Sequence, residues 1–253
     1  MPMFDRVVSH VLKAQVALYH ACTRLRARTD GEALHDLRIQ LRRLRSLLRP
    51  LRGIDSVERL DSVIAQLGKL TTPVRDLEVL VDELESKHYS ELAAVRRSKL
   101  AAAYDRVLRS RTLAMLFEEL DEWPASFRLE QVAGDAQKLG KKVTRRLERQ
   151  ISRLTEALGE TGGDRHKLRI LAKHTRYMIE AYPQQSGVNP EVMRSLKTVL
   201  SALGAWHDLF QWCLKAGTEK DLQPLLPQWQ QASVSALRDA EGEIIRLRCL
   251  LAI

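Results

Sequence analysis

The sequence predicts an all-α protein built of two helical bundles from an internal duplication, and three observations carry that expectation. Apolar residues recur at spacings of three and four over long stretches, the rhythm of one buried face on a helix of about 3.6 residues per turn. The alternation that marks a half-buried strand is absent. Short breaks rich in Gly, Pro, Asp and Thr join the helical stretches, as between antiparallel neighbours in a bundle. At 253 residues, 45% apolar and 29% charged, the chain can bury a sizeable core as one large domain or two of ordinary size.

The first helix is predicted from Asp5 to about Arg26, with Val7, Val8, Val11, Leu12, Ala14, Leu18 and Leu25 as its apolar positions. Thr29-Asp30-Gly31-Glu32 reads as a capping box that opens a second helix, which Pro50 and Gly53 end. On that helix Leu34, Leu37, Leu41, Leu44, Leu48 and Leu51 make one continuous apolar stripe. Helical segments at about 55–70 and 74–88 follow, separated by Thr71-Thr72-Pro73, then a long segment at roughly 90–120. Trp123-Pro124-Ala125-Ser126 breaks the pattern and is the expected boundary between repeats at 1–122 and 123–253. A basic segment at about 129–158 comes next, and Gly162-Gly163-Asp164 leads into another that starts near His166 and ends near Pro183.

A second stripe runs beside the leucines. His35, Arg38, Arg42, Arg45 and Arg49 keep the same three-and-four rhythm one position later, about 100° around the helix. Like charges at these spacings oppose one another by roughly 0.2–0.5 kcal/mol per pair. Either carboxylates of a neighbouring helix and salt relieve the stripe, or an anion does, with each charge-assisted hydrogen bond worth about 1.5–3 kcal/mol. The first helix repeats the theme with Arg6, His10, Lys13, His20 and Arg24, and the segment at 129–158 does so with Lys138, Lys142, Arg145 and Arg149.

Shifting the chain by 131 residues lays His166 on His35, Arg169 on Arg38, Lys173 on Arg42 and Arg176 on Arg45; a shift of 132 lays Lys138, Lys142 and Arg145 on Arg6, His10 and Lys13. The same shift puts His207-Asp208-Leu209 on Arg75-Asp76-Leu77. A solvated face has no reason to keep such a line in both halves while the apolar positions drift, so the duplication favours anion binding.

The bulk composition agrees. Lys and Arg number 41 against 32 Asp and Glu, giving +9 and a pI near 9.7, which points to an anionic partner such as nucleic acid, polyphosphate or an anionic membrane surface. Cys22, Cys213 and Cys249 are odd in number and far apart, as reduced thiols of a cytoplasmic protein would be. The stretch from Met1 to Arg6 has no export signal, and no run is long and apolar enough for a membrane span.

These motifs resemble the CHAD domain family. The resemblance rests on His35-Asp36-Leu37-Arg38 with Arg42-Arg43-Leu44-Arg45, on Arg75-Asp76-Leu77-Glu78-Val79, on His166-Lys167-Leu168-Arg169-Ile170 with Lys173, Arg176-Tyr177 and Glu180, and on His207-Asp208-Leu209. It implies two pseudo-symmetric four-helix bundles with a basic groove or pore that binds inorganic polyphosphate, often as a targeting module for polyphosphate granules. Two departures stand in the second half, His174-Thr175 where the family more usually has Arg-Leu and Arg165 where a Leu usually precedes the His.

The chemistry of the stripes suits a linear polyanion. Arg offers bidentate forks to phosphate, Lys a point charge, and His a donor that strengthens on protonation. Asp76 and Asp208, with Arg75 and His207 before them, are expected to orient the cations from behind or to form simple surface ion pairs. A nucleic-acid binder reading only the backbone is the rival, although few aromatics interleave with the basic residues as base stacking requires. Trp123, Trp206, Trp212 and Trp229 read as core or boundary anchors. An enzyme is the rival of another class, because Glu83-Leu84-Glu85-Ser86-Lys87 spells the Glu-x-Glu-x-Lys of CYTH phosphohydrolases. That motif needs alternate residues on one strand face, and here it falls in a helical pattern, where successive members lie about 200° apart. No catalytic residue, metal ligand or cofactor is therefore expected.

Overall fold

The structure, a computed structural model, describes residues 3–132, 136–160 and 162–251. Every regular element among them is helical: α1 (Met3–Ala27), α2 (Ala33–Leu48), α3 (Asp55–Ser86), α4 (Ser90–Leu108), α5 (Arg111–Val132), α6 (Ala136–Gly159), α7 (Arg165–Ala181), α8 (Pro183–Ser186), α9 (Pro190–Ala216) and α10 (Leu226–Leu251), with 3-10 turns at Arg49–Leu51 and Lys220–Leu225. The all-α class expected from periodicity holds. Two compact units divide the chain at Val143 and Thr144, inside α6.

In the first unit α2 and α3 pack on each other, α1 packs on α2, and α4 and α5 pack on α1 and α3. The leucine stripe explains the place of α2: Leu34, Leu37, Leu41, Leu44, Leu48 and Leu51 are all at most 2% exposed. Fully burying each such side chain stabilises the fold by about 1.5–3 kcal/mol. Pro50 follows at the 3-10 turn, and Gly53 adopts φ 87°, a conformation that favours glycine, so the helix ends where the sequence places its end. Phe4 and Trp123 both stack on Phe127, joining α1 to α5.

Three helix boundaries differ from the expectation. α3 runs without interruption through Thr71-Thr72-Pro73. Proline removes one helical N–H and crowds the carbonyl four residues back, and here side chains reinforce that turn: Thr71 Oγ1 donates to Leu67 O at 2.9 Å and Thr72 Oγ1 to Gly68 O at 2.8 Å. α5 likewise continues through Trp123-Pro124-Ala125-Ser126, where the buried Trp123 and Phe127 outweigh the cost of Pro124; the proposed boundary at 122/123 therefore lies in mid-helix. The segment at 90–120, by contrast, is two helices. Its break falls at Arg109-Ser110, where Ser110 Oγ accepts from Leu113 N at 3.2 Å and starts α5.

The start of α2 differs in detail from a capping box. Glu32 makes no side-chain cap; Asp30 accepts from Glu32 N at 3.0 Å instead. The N-terminus of α3 is capped from another helix, with Glu130 of α5 accepting from Ser56 N at 3.1 Å, where a carboxylate also meets the positive end of the helix dipole.

In the second unit α9 packs along α10 and against α7. Asp164 caps α7 by accepting from His166 N and Lys167 N at 2.9 and 3.1 Å, and Asn189 caps α9 by accepting from Glu191 N at 2.8 Å. Trp212 and Trp229 join α9 to α10 with ring centroids 5.7 Å apart, and Trp123, Trp212 and Trp229 are buried as core anchors while Trp206 is half-buried. The expected start of the basic segment near 129 falls before residues 133–135, which lie outside the described residues. No described helix is long and apolar enough to cross a membrane.

Candidate functional site

The leucines of α2 face the core, so His35, Arg38, Arg42, Arg45 and Arg49 are held on its flank, half-buried rather than fully solvated. Between α2 and α3 lies a recess of about 420 Å³, lined by Arg38, Leu41, Arg42 and Arg45 from α2 and by Ile64, Ala65, Gly68, Lys69 and Thr72 from α3. Three members of the predicted stripe thus share one cleft with Lys69, which the sequence reading missed.

Two of these guanidinium groups are fixed from behind. Arg38 Nη1 donates to Thr71 Oγ1 at 2.8 Å, Thr72 Oγ1 at 3.1 Å and Gly68 O at 3.2 Å, on the turn of α3 just before Pro73. All three bonds use one nitrogen, which leaves Nε and Nη2 to other partners. Burial first, then the neighbouring Arg42, bring the Arg38 guanidinium down to about 10, so it stays charged at neutral pH. Arg45 donates through Nε to Asp61 at 3.0 Å, and Arg52 Nη2 donates to the same carboxylate at 2.8 Å. Burial works against the Asp61 charge, yet Arg52 and Arg45 hold its carboxyl below the ordinary value. At the end of the stripe, burial and then Arg52 and Arg45 lower the Arg49 pKa.

His35 opens the stripe. Burial, then Arg75 of α3 and Arg42, push its pKa below 6.5. Arg75 is itself placed by Glu78, which accepts from Arg75 Nη1 at 2.9 Å and from Tyr104 of α4 at 2.6 Å. Glu78 is 5% exposed, and its burial raises its pKa while Tyr104 and Arg75 oppose the rise. Asp76, expected to orient cations from behind or to form a surface ion pair, is exposed on α3, and its charge favours the charged form of Arg38.

The basic line of α1 divides. His10, Lys13 and His20 are exposed and Arg6 is half-buried. Burial, then Lys13 and Arg6, lower the His10 pKa. Arg24 is answered by carboxylates: its guanidinium donates to Asp30 at 2.9 Å and to Asp36 of α2 at 2.6 Å. The Arg24 pair holds the Asp30 carboxyl at about 2. On α6 Lys138 is exposed and Lys142 half-buried in the first unit, with Lys142 Nζ close to Gly53, while Arg145 and Arg149 are exposed in the second.

In the second unit α7 presents His166 exposed and Arg169, Lys173 and Arg176 half-buried. His166 stacks on His207 of α9, ring centroids 5.2 Å apart, and His207 Nδ1 lies 3.5 Å from Asp208. The His166–His207 contact and the effect of Arg75 on His35 join residues that the sequence shifts align, one pair per unit. Arg176 donates to Glu180 at 2.9 Å and lies over the Tyr177 ring at 5.3 Å. The two departures do structural work. Thr175 is fully buried and accepts from Gln150 of α6 at 3.0 Å, and Arg165 donates to Glu241 of α10 at 2.8 Å.

The Glu-x-Glu-x-Lys match lies at the helical C-terminus of α3, as periodicity expects, and Glu85 there forms an ion pair with Arg97 of α4. Among the described residues no three His, Cys, Asp or Glu side chains cluster as metal ligands would.

An all-α chain whose helices carry cationic flanks beside a leucine core is the class that fold and site define. A model of the CHAD domain matches residues 10–214, and the chain belongs to the CHAD domain family. The fold is similar to the crystal structure of the CHAD domain from the plant Ricinus communis, with a TM-score of 0.66 and 20% identity over 99% of this chain and 88% of that one. It is also similar to PptA from Streptomyces chartreusis, with a TM-score of 0.57 and 18% identity over 97% of this chain and all 100% of that one. A search of curated proteins returned no match.

Proposed function

We propose that this protein binds inorganic polyphosphate on the cationic flanks of its helices and does so without catalysis. The observation that carries this reading is the α2–α3 recess, where Arg38 and Arg45 are anchored through single nitrogens and line one cleft with Arg42 and Lys69. Anchoring from behind pre-organises donors, which lowers the entropy lost on binding a chain of phosphates. Membership of the CHAD domain family supports the same ligand, since the motif resemblance implies it.

The ligand contacts would come from His35, Arg38, Arg42, Arg45 and Arg49 on α2, from Arg6, His10, Lys13 and His20 on α1, from Lys138, Lys142, Arg145 and Arg149 on α6, and from His166, Arg169, Lys173 and Arg176 on α7. Arg24 is better suited to holding α1 to α2, because Asp30 and Asp36 already take its donors. The cellular counterpart of this binding is a cytoplasmic protein carried to polyphosphate granules. Titration with long-chain polyphosphate and with length-matched DNA at several salt concentrations tests the reading, with tighter binding to polyphosphate expected.

A further inference from the structure

We infer that the α2–α3 recess is a complete site for short linear oligophosphates, formed within the first unit alone, with Lys69 as a direct ligand. This rests on the polyphosphate reading above and narrows it to one compact subsite that takes a short chain or the end of a long one.

Size is the first argument. A volume of about 420 Å³ falls in the range of about 300–1,000 Å³ typical of small-ligand clefts, so the recess suits a short oligomer rather than only a passing stretch of a long chain. Its lining is the second. Arg38, Arg42, Arg45 and Lys69 converge from two helices on one space, with Thr72 beside them. Asp61 engages Arg45 only through Nε, so the cluster keeps an excess of positive charge.

The state of Lys69 is the third argument. It is exposed, it lines the recess, and it makes no hydrogen bond or ion pair among the described residues. Arg97, on α4, shows what a cation of this unit does when it serves the fold: it pairs with Glu85. Lys69 sits one residue from Gly68, whose carbonyl accepts from Arg38. The Arg38 anchor and the Lys69 ammonium are thus set on the same turn of α3, facing α2. A compact ammonium on a flexible stem can follow a phosphate that the more rigid guanidinium forks position.

The test is calorimetric titration of the intact protein with tripolyphosphate and, separately, with long-chain polyphosphate, for the wild type, Lys69→Gln, Lys69→Arg and the control Lys99→Gln on α4. Tripolyphosphate is expected to bind the wild type. Lys69→Gln should weaken it about tenfold, as loss of one charge-assisted contact does. Lys69→Arg should restore most of the loss, and Lys99→Gln should change it little. Long-chain binding should fall less in Lys69→Gln, because other flanks still hold the chain. If long-chain polyphosphate binds and tripolyphosphate does not, or if Lys69→Gln matches Lys99→Gln, the subsite is overturned while the broader function stands. If neither ligand binds, both fall together.

Discussion

Arg45 of α2 is tied to Asp61 of α3: the guanidinium donates through Nε at 3.0 Å to a carboxylate whose side chain is only 9% exposed. A neighbouring helix therefore does relieve part of the like-charge repulsion along α2. That single carboxylate is shared between two cations, Arg45 and Arg52.

Removing that carboxylate should expose the repulsion. Asp61→Asn is expected to destabilise the first unit by about 1.5–3 kcal/mol, the range for hydrogen bonds to charged groups. Urea denaturation checks this, and added salt or polyphosphate should recover part of the loss. A variant as stable as the wild type at low salt would show that the pair contributes nothing.

Arg38 serves the fold as well as the proposed ligand. Its Nη1 completes a polar cluster with Thr71, Thr72 and the Gly68 carbonyl on the turn before Pro73. Arg38→Ala should therefore lower stability by about 1–3 kcal/mol in urea titration, mainly through the acceptors it leaves unmet in a half-buried place. Exposed Lys69→Gln should leave the denaturation midpoint where it is. Binding assays on Arg38 variants need that midpoint measured beside them.

The histidines give pH effects of opposite sign for folding and binding. His35 and His10 have pKa values below 6.5 because burial and neighbouring cations disfavour their charged forms. Their stabilising contribution to the unbound fold is full above an unfolded pKa of about 6.5 and is lost as pH falls through the folded values. A bound polyanion raises the same pKa values, so polyphosphate affinity should increase as pH falls from about 8 to about 6, with proton uptake. Calorimetry in two buffers of different ionisation heat measures that uptake. No uptake and a flat affinity would remove these histidines from the site.

Much of the architecture was legible because α2 carries an uninterrupted core register, and its six leucines are all buried. The sequence places breaks at Pro73 and Pro124 that the helices run through, and it has no Gly or Pro at Arg109-Ser110, where a break does fall. Threonine side chains and Arg38 hold the first turn together, and buried Trp123 and Phe127 hold the second, so tertiary contacts overrode the local preference of proline. Asp61 and Glu78 do carry a signal in the sequence. Each is a carboxylate at a core position, between Val57 and Ile64 and between Val74 and Val81, and such a carboxylate requires a cation from a neighbouring helix. Lys69 had no comparable signal, since its role emerges only once α2 and α3 are packed.

The ligand itself is the central claim. Fluorescence or calorimetric titration of the wild type with long-chain polyphosphate and with length-matched single- and double-stranded DNA, over a range of salt, tests it most directly. Polyphosphate should bind more tightly than either DNA, with log affinity falling linearly in log salt as counterions are released. Tighter binding to DNA, no binding to polyphosphate, or phosphate release when Mg²⁺ or Mn²⁺ is present would contradict it.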